Sequence, residues 1–350
     1  MLPKKVSSEA KPGPLGEAHP APAPYHWRQL TDLLKPGQDI ALMVHERPDG
    51  DAYGSALGLA IILRSLGFCP RFLRARKPVA FTWLPGQELI EVVEAAGWQK
   101  PPEETQVLVL DCGEAERCEY FLGNKQPLLN ADHHITNPGF GVLNWVDVRA
   151  GATAEVLCRL LSEAGVPIPP EAATCLLTAL ITDTGWFKFS SAGVGTMRSA
   201  ALLTELGADM ELIRENLWEN RPFSELLLLE EVMRHYRLFH AGKAVICSLP
   251  CELLKEKGIM DAETDNTMEM IRGVEGVEVT ALLKETEPGT IKGSLRSKYF
   301  LDCSALAGQV GGGGHVRAAG CTIKGTLAEA ERVIMDLLDR ALDGIGGEKR

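Results

Sequence analysis

Pro127-Leu128-Leu129-Asn130-Ala131-Asp132-His133-His134 is an apolar run that ends abruptly in three proton carriers or metal donors. The apolar part reads as a buried strand, and the polar triplet stands where that strand ends. Strand ends are where open α/β sheets build their sites. Working outward, the same arrangement recurs. Asp39 to Val44 (D-I-A-L-M-V) and Gln106 to Leu110 (Q-V-L-V-L) are further short apolar runs, as buried parallel strands require. The first leads into a loop holding His45, Asp49 and Asp51; the second runs straight into Asp111.

Helical periodicity fills the intervals. Residues 54–66, Thr153 to Ala164, Glu171 to Thr182 and Thr196 to Leu206 read as helices, the last stopped by Gly207. Glu171 to Thr182 is nearly all apolar and is expected to be buried. Strands alternating with helices predict an α/β, doubly wound parallel sheet. Residues 1–24, with Pro12, Pro14, Pro20, Pro22 and Pro24, read as a disordered extension. The first domain is expected over 25–210. Leu, Glu and Arg dominate 211–242, which reads as a helical connector of long helices broken at Arg221-Pro222. A smaller α/β domain is expected over 243–345. Its strands are Ala244 to Leu249, Val277 to Leu283, Ile291 to Ser297 and Gly320 to Ile323, and its last helix is Leu327 to Leu342.

Composition narrows the function classes. The chain has 350 residues, enough for two domains. No apolar stretch reaches the roughly 18–20 residues that span a bilayer, and no apolar segment follows Met1-Leu2-Pro3-Lys4-Lys5 to make a signal peptide. Nine cysteines, an odd number without a C-x-x-C pair, fit the reduced thiols of a cytoplasmic protein. The net charge of −11 favours a small anionic substrate recruited by metal ions and a few Arg or Lys over a long polyanion.

Four acidic segments carry the chemistry. In His45-Glu46-Arg47-Pro48-Asp49-Gly50-Asp51, alternate residues of a turning loop point opposite ways, so Asp49 and Asp51 could serve two cations. An acidic, helix-capping surface turn is the competing interpretation, and Gly54 downstream allows close helix packing. Asp111 ends a buried strand, as a functional or a capping residue. Neutral imidazoles such as His133 and His134 suit Mn, Fe, Co or Zn better than Mg or Ca. Asp183, in Thr182-Asp183-Thr184-Gly185, closes the apolar helix. Together these donors suffice for two adjacent divalent ions, a common means of hydrolysing phosphate esters by in-line attack. Far downstream, Gly311-Gly312-Gly313-Gly314-His315 can converge backbone N–H groups on an anion. Arg317 adds a donor, and a helix or turn followed by a strand is expected next. Arg296, near the end of a strand, suits a phosphate or an ordinary surface. Arg71, Arg74, Arg76 and Lys77 form a basic cluster, either a solvated face or a guide for a nucleic-acid strand.

These motifs in this order resemble the DHH phosphoesterases that carry a DHH-associated C-terminal domain. The resemblance rests on H-E-R-P-D-G-D-A-Y-G-S (45–55), L-D-C-G (110–113), D-H-H-I-T-N (132–137), T-D-T-G-W-F (182–187), S-L-R-S (294–297) and G-G-G-G-H-V-R-A-A-G (311–320). It covers about residues 25 to 345 and is closest to the small oligoribonucleases that also act as pAp phosphatases. The resemblance implies that His45, Asp49 and Asp111 bind one ion, and that Asp51, Asp111, His133 and Asp183 bind the other. His134 would face the scissile phosphate with Asp132 orienting the histidines. Arg296, Gly311, Gly312, Gly313, Gly314 and His315 would hold the substrate's phosphate or terminal nucleotide. The implied cofactor is a pair of divalent cations, Mn2+ above others. The implied substrates are short oligonucleotides, dinucleotides or pAp. The segment from Asp261 to Met270 departs from the pattern of the oligoribonucleases. Rival expectations are a cyclic dinucleotide (c-di-AMP type) or linear dinucleotide phosphodiesterase and, from another class, a non-catalytic nucleotide-binding regulator. The apolar helices are compatible with a homodimer.

Overall fold

The computed structural model describes residues 26–93, 102–118, 120, 122, 125–220, 222–262 and 264–346, so the extension 1–24 and Arg221 lie outside the described residues. The chain begins with α1 (Trp27–Thr31), β1 (Asp39–Met43), α2 (Gly50–Ser65), β2 (Cys69–Arg74) and β3 (Ile90–Val92). It continues through β4 (Gln106–Leu110), β5 (Leu129–Asp132) and β6 (Leu143–Val146). Then come α3 (Thr153–Glu163), α4 (Pro170–Asp183), α5 (Val194–Glu205) and α6 (Met210–Arg214). The strands of the described residues form a parallel sheet in the order β3-β2-β1-β4-β5-β6. This is the doubly wound order, whose switch point falls between β1 and β4.

Burial follows from the strand pleat. Ile40, Leu42 and Val44 join a large apolar cluster with α2, α3 and α4. Ala41 and Met43, facing the other way, pack with Val107, Val109, Tyr120 and Leu122. A strand wanted by both faces has to be apolar throughout, which is why β1 and β4 read as unbroken runs.

Helix α2 starts at Gly50, four residues before the expected start, because Asp49 caps it by accepting from the N–H groups of Asp51 and Ala52. Asp49 and Asp51 therefore do not alternate along an extended loop. One caps the helix and the other sits in its first turn. Helix α2 lies close against α4. A Cβ added at Gly54 would stand 2.3 Å from the Cys175 carbonyl oxygen and 2.8 Å from Ala179 Cβ. Gly54→Ala gains up to about 1 kcal/mol of helix propensity but meets a backbone atom that cannot swing aside, at roughly 1–3 kcal/mol or more. We expect its thermal midpoint to fall by about 5 °C; an unchanged melting curve would mean that the helices do not touch there.

The second unit begins after Glu219. It holds α7 (Phe223–His235), β7 (Arg237–Phe239), β8 (Ala244–Leu249), α8 (Cys251–Glu256), α9 (Asp265–Arg272) and β9 (Val279–Glu287). It ends with β10 (Thr290–Ser297), α10 (Cys303–Gly308), β11 (Gly313–His315), β12 (Ala318–Lys324) and α11 (Leu327–Gly346). The order is β11-β12-β10-β9-β8-β7, parallel at β8–β9 and antiparallel at the other pairs. Helix α11 buries Ile334, Leu338 and Leu342 in one cluster with Ile246, Leu283 and Ile291.

The stretch 211–242 is largely helical, as expected of the segment that joins the two domains, but in separate pieces. Helix α6 gives way to a π turn, Glu215–Glu219, which closes the first unit, whereas α7 and β7 belong to the second. After the glycine run a turn at Val316-Arg317 and then a strand follow, and Ala318-Ala319-Gly320 belong to that strand. Gly313, Gly314 and His315 are themselves an edge strand paired to Ala318–Lys324. No helix among the described residues is long and apolar enough to cross a membrane. The nine cysteines are free, and all but Cys69 are buried.

Candidate metal centre

Each acidic residue singled out in the sequence reaches one place by a different route. His45 follows β1 and Asp111 follows β4, the two strands flanking the switch point. Asp132 is the last residue of β5, so His133 and His134 leave the sheet beside them. Asp51 comes from the first turn of α2 and Asp183 from the end of α4.

Three groups of donor atoms come within 4.8 Å of one another: His45, Asp49 and Asp111; Asp51, His133 and Asp183; and Asp111, His133 and His134. His133 Nε2 lies 3.4 Å from Asp183 Oδ2 and 3.8 Å from both Asp51 Oδ2 and Asp111 Oδ1. His45 Nε2 is 3.8 Å from Asp111 Oδ2. These are longer than good hydrogen bonds, so the imidazoles and carboxylates face one another without bonding directly.

The carboxylates are charged groups in an apolar setting. Burial pushes the Asp111 carboxyl well above the usual range, and Asp51, Asp49 and Asp183 push it further. Burial likewise raises Asp51. Asp183 is pushed up to about 8 by burial and by Asp51 and Asp49. Burial lowers His45, and its Nδ1 is a buried atom without a hydrogen-bond partner. Clustered carboxylates with an orphaned imidazole nitrogen fit divalent cations, which remove the repulsion and take the lone pairs.

Surrounding groups fix the donors. The His134 ring meets Asp132 through Nδ1 at 2.7 Å, and the other oxygen of Asp132 accepts from Asn137 Nδ2 at 2.6 Å. Burial opposes ionising Asp132, but the bond to His134 and the charge of that ring outweigh it, and the carboxyl lies below its usual range. The converse holds for His134, where Asp132 overrides burial and raises the imidazole. His133 Nδ1 stands 3.2 Å from the Ala150 carbonyl oxygen, which leaves Nε2 toward the carboxylates.

Two contributors escaped the sequence reading. The N–H groups of Thr153 and Ala154, in the first turn of α3, donate to Asp51 at 2.6 and 3.2 Å. The Thr153 hydroxyl also donates to Asp111 at 3.1 Å. Helix N-termini stabilise anions this way, and a threonine just inside a predicted helix start was the available signal. The second is the backbone of Asp111, whose φ of +50° is rare for a residue with a side chain.

The other candidates lie elsewhere. Arg71 is paired with Asp39 and Glu91, and Arg74 is buried over the Tyr53 ring, so half of the basic cluster is structural. In the second unit, the Arg296 guanidinium bonds Asp265 and its neighbour's carbonyl, Leu295 O. Asp265 lies in the segment 261–270, which is expected from the sequence to depart from the oligoribonuclease pattern. The guanidinium of Arg317 holds the carbonyls of Leu301 and Tyr299 instead of facing a ligand.

Residues 39–180 match the DHH family N-terminal domain and residues 242–344 match the DHHA1 domain. The chain belongs to the DHH phosphoesterase family. It is a hydrolase with a DHHA1 domain, and the family uses divalent metal ions. It is 35% identical over 321 residues to the bifunctional oligoribonuclease and PAP phosphatase NrnA of Thermus thermophilus, covering 87% of this chain and 91% of that one. A more distant relative, the cyclic-di-AMP phosphodiesterase GdpP of Geobacillus thermodenitrificans, is 23% identical over 90% of this chain but only 49% of its own length. The crystal structure of an exopolyphosphatase-related protein from Bacteroides fragilis shares the fold, with a TM-score of 0.80 and 24% identity over 89% of this chain and 94% of that chain.

Proposed function

We propose that this chain is a Mn2+-dependent phosphodiesterase that releases mononucleotides from very short oligonucleotides and also converts pAp to AMP. The observation that carries this reading is the meeting of three His/Asp donor groups, two of which contain Asp111 and two of which contain His133. The NrnA relative, matched over most of its length, supports the substrate class.

In this reading His45, Asp49 and Asp111 hold one cation, and Asp51, Asp111, His133 and Asp183 hold the other. Such a pair, when bound, polarises a phosphoryl group and lowers the pKa of water. Mixed imidazole and carboxylate donors suit Mn2+ better than Mg2+. His134 offers Nε2 to a phosphate oxygen. Because Asp132 raises its pKa, His134 holds a proton to higher pH than an ordinary imidazole and can donate it. Asp132 acts through that ring by fixing its tautomer. Arg296, with Gly311, Gly312, Gly313, Gly314 and His315, holds the terminal phosphate or nucleotide. The carboxylate of Asp265 is exposed, and its ion pair with Arg296 is weak enough for a phosphate to replace. The free thiols suit a cytoplasmic setting.

The test is a panel of pAp, di- to pentanucleotides, cyclic dinucleotide and pyrophosphate, with and without Mn2+. Mononucleotide release from the linear substrates is expected. Hydrolysis of the cyclic dinucleotide alone would move the protein to that class. Nucleotide binding without metal dependence or turnover would make it a regulator. Arg296→Ala is expected to raise KM about tenfold or more with Mn2+ affinity unchanged in a calorimetric titration; parallel loss of metal would remove Arg296 from the substrate's phosphate.

A further inference from the structure

Beyond Ser297, β10 turns back through residues 298–301, and this loop puts two consecutive aromatic rings into solvent. Tyr299 is 73% exposed and Phe300 45%. Neither ring belongs to the unit's apolar clusters, yet the loop beneath them is firmly built. Glu278, buried at 3% exposure, accepts from the N–H groups of Tyr299, Phe300 and Leu301 at 2.8 to 3.1 Å. The Ser297 hydroxyl and the Arg317 guanidinium donate to Leu301 O at 2.6 and 2.8 Å, and Arg317 also holds Tyr299 O. A buried carboxylate fully engaged with successive backbone amides is a strong local constraint. What it constrains here is the backbone that carries two exposed rings.

The loop also adjoins the elements that the proposed function assigns to the substrate's phosphate. Arg296 is three residues before Tyr299. Ser297 N–H donates to Arg317 O at 3.0 Å, and Cys303 N–H to Val316 O at 2.7 Å, so the turn that follows the glycine strand is fastened to this loop. Lys298 Nζ stands 5.7 Å from the centre of the Tyr299 ring. Flat rings among cationic side chains match a flat, anion-bearing ligand. Rigid aromatic side chains that stack bases beside phosphate-binding cations are the general solution for single-stranded nucleic acid.

We propose that Tyr299 and Phe300 form a stacking platform for a nucleobase of the substrate, at the nucleotide whose phosphate Arg296 holds. This deepens the oligonucleotide reading and rests on it. The platform selects for nucleotides over inorganic phosphates, and it tolerates any base because every base has a π face.

The test uses the full chain with Mn2+, a dinucleotide, and the same dinucleotide with its terminal base removed. Binding is followed by calorimetry and turnover separately. Tyr299→Ala/Phe300→Ala is expected to raise Kd and KM for the intact dinucleotide about five- to a hundredfold. Its effect on kcat, and on the abasic substrate, should stay within about twofold, and Tyr299→Trp should restore affinity. Equal losses on both substrates, or no change on the intact one, would overturn the platform. So would a change of oligomeric state in light scattering, which would make the rings a contact between copies. Arg296→Ala separates the two levels. If it weakens both substrates while the ring variants weaken neither, only the platform fails. If Arg296→Ala moves neither, the phosphate assignment fails and takes the platform with it.

Discussion

Asp111→Asn abolishes turnover and, in the absence of metal, yields a protein that is harder to unfold. The substitution keeps the side chain's volume and an oxygen for the Thr153 hydroxyl. It removes the charge that Asp51, Asp49 and Asp183 oppose in a buried position. In the proposed function that charge is shared by both cations, so kcat should fall by at least about 10³-fold, since members of a catalytic unit fail together. In chelator the same change relieves repulsion, and the thermal midpoint should rise by a few degrees, roughly 2–5 °C. Steady-state kinetics, a Mn2+ titration and melting in EDTA give the three readouts. A variant with substantial Mn2+-dependent turnover would rule out Asp111 as the shared ligand.

The second large effect is on the pH dependence of the chelated protein. The ordinary Asp value is 3.8, and burial raises Asp51, Asp111 and Asp183 above it, Asp183 to about 8. Between those values the folded chain binds more protons than the unfolded one, so its stability falls as pH rises. His134, raised from 6.5, acts in the same direction as pH passes its folded value. His45, lowered from 6.5, acts in the opposite direction and offsets part of the slope. The contribution of Asp183 is thus full below about pH 4 and is lost as pH rises through about 8, with Asp51 and Asp111 acting in the same direction, a fall in midpoint on the order of 10 °C. Mn2+ should flatten or reverse this slope, because cations replace the protons that the carboxylates otherwise need. Melting curves from pH 5 to 8, in EDTA and in Mn2+, test it; parallel curves would mean that the acids are not a metal cage.

How much of this was visible in the chain depends on how strongly each segment is constrained. Strands β1 and β4 are buried on both faces, so their sequences are nearly all apolar and easily read, and β5 read from Leu128, Leu129 and Ala131 although Asn130 is buried among them. Strand β2 escaped because Cys69-Pro70-Arg71-Phe72-Leu73-Arg74 mixes Pro and Arg with apolar residues, and its charges meet partners such as Asp39, Glu91 and Tyr53 once the protein is folded. Strands β3 and β6 are too short to show a period. Pro48-Asp49-Gly50-Asp51 has the composition of a turn, but the Asp49 cap starts the helix at Gly50, where the lack of a side chain also allows close approach to Thr182. The donors were legible because each follows an apolar run. The support from Thr153 and Asn137 was not, since it depends on contacts between elements. The glycine run read as a loop because its strand partner, β12, supplies the pairing from outside the motif.

The donors also have an order along the chain. A nascent chain that has emerged only through β4 already carries His45, Asp49, Asp51 and Asp111, but not His133 or Asp183. Asp183 arrives at the end of α4, the same helix that α2 must meet at Gly54. Until that helix docks, the group of Asp51, His133 and Asp183 is incomplete, although His45, Asp49 and Asp111 are already on the chain. On the proposed function, the second cation's donors are thus completed only when α4 docks, so loading of the full pair follows assembly of the N-terminal unit.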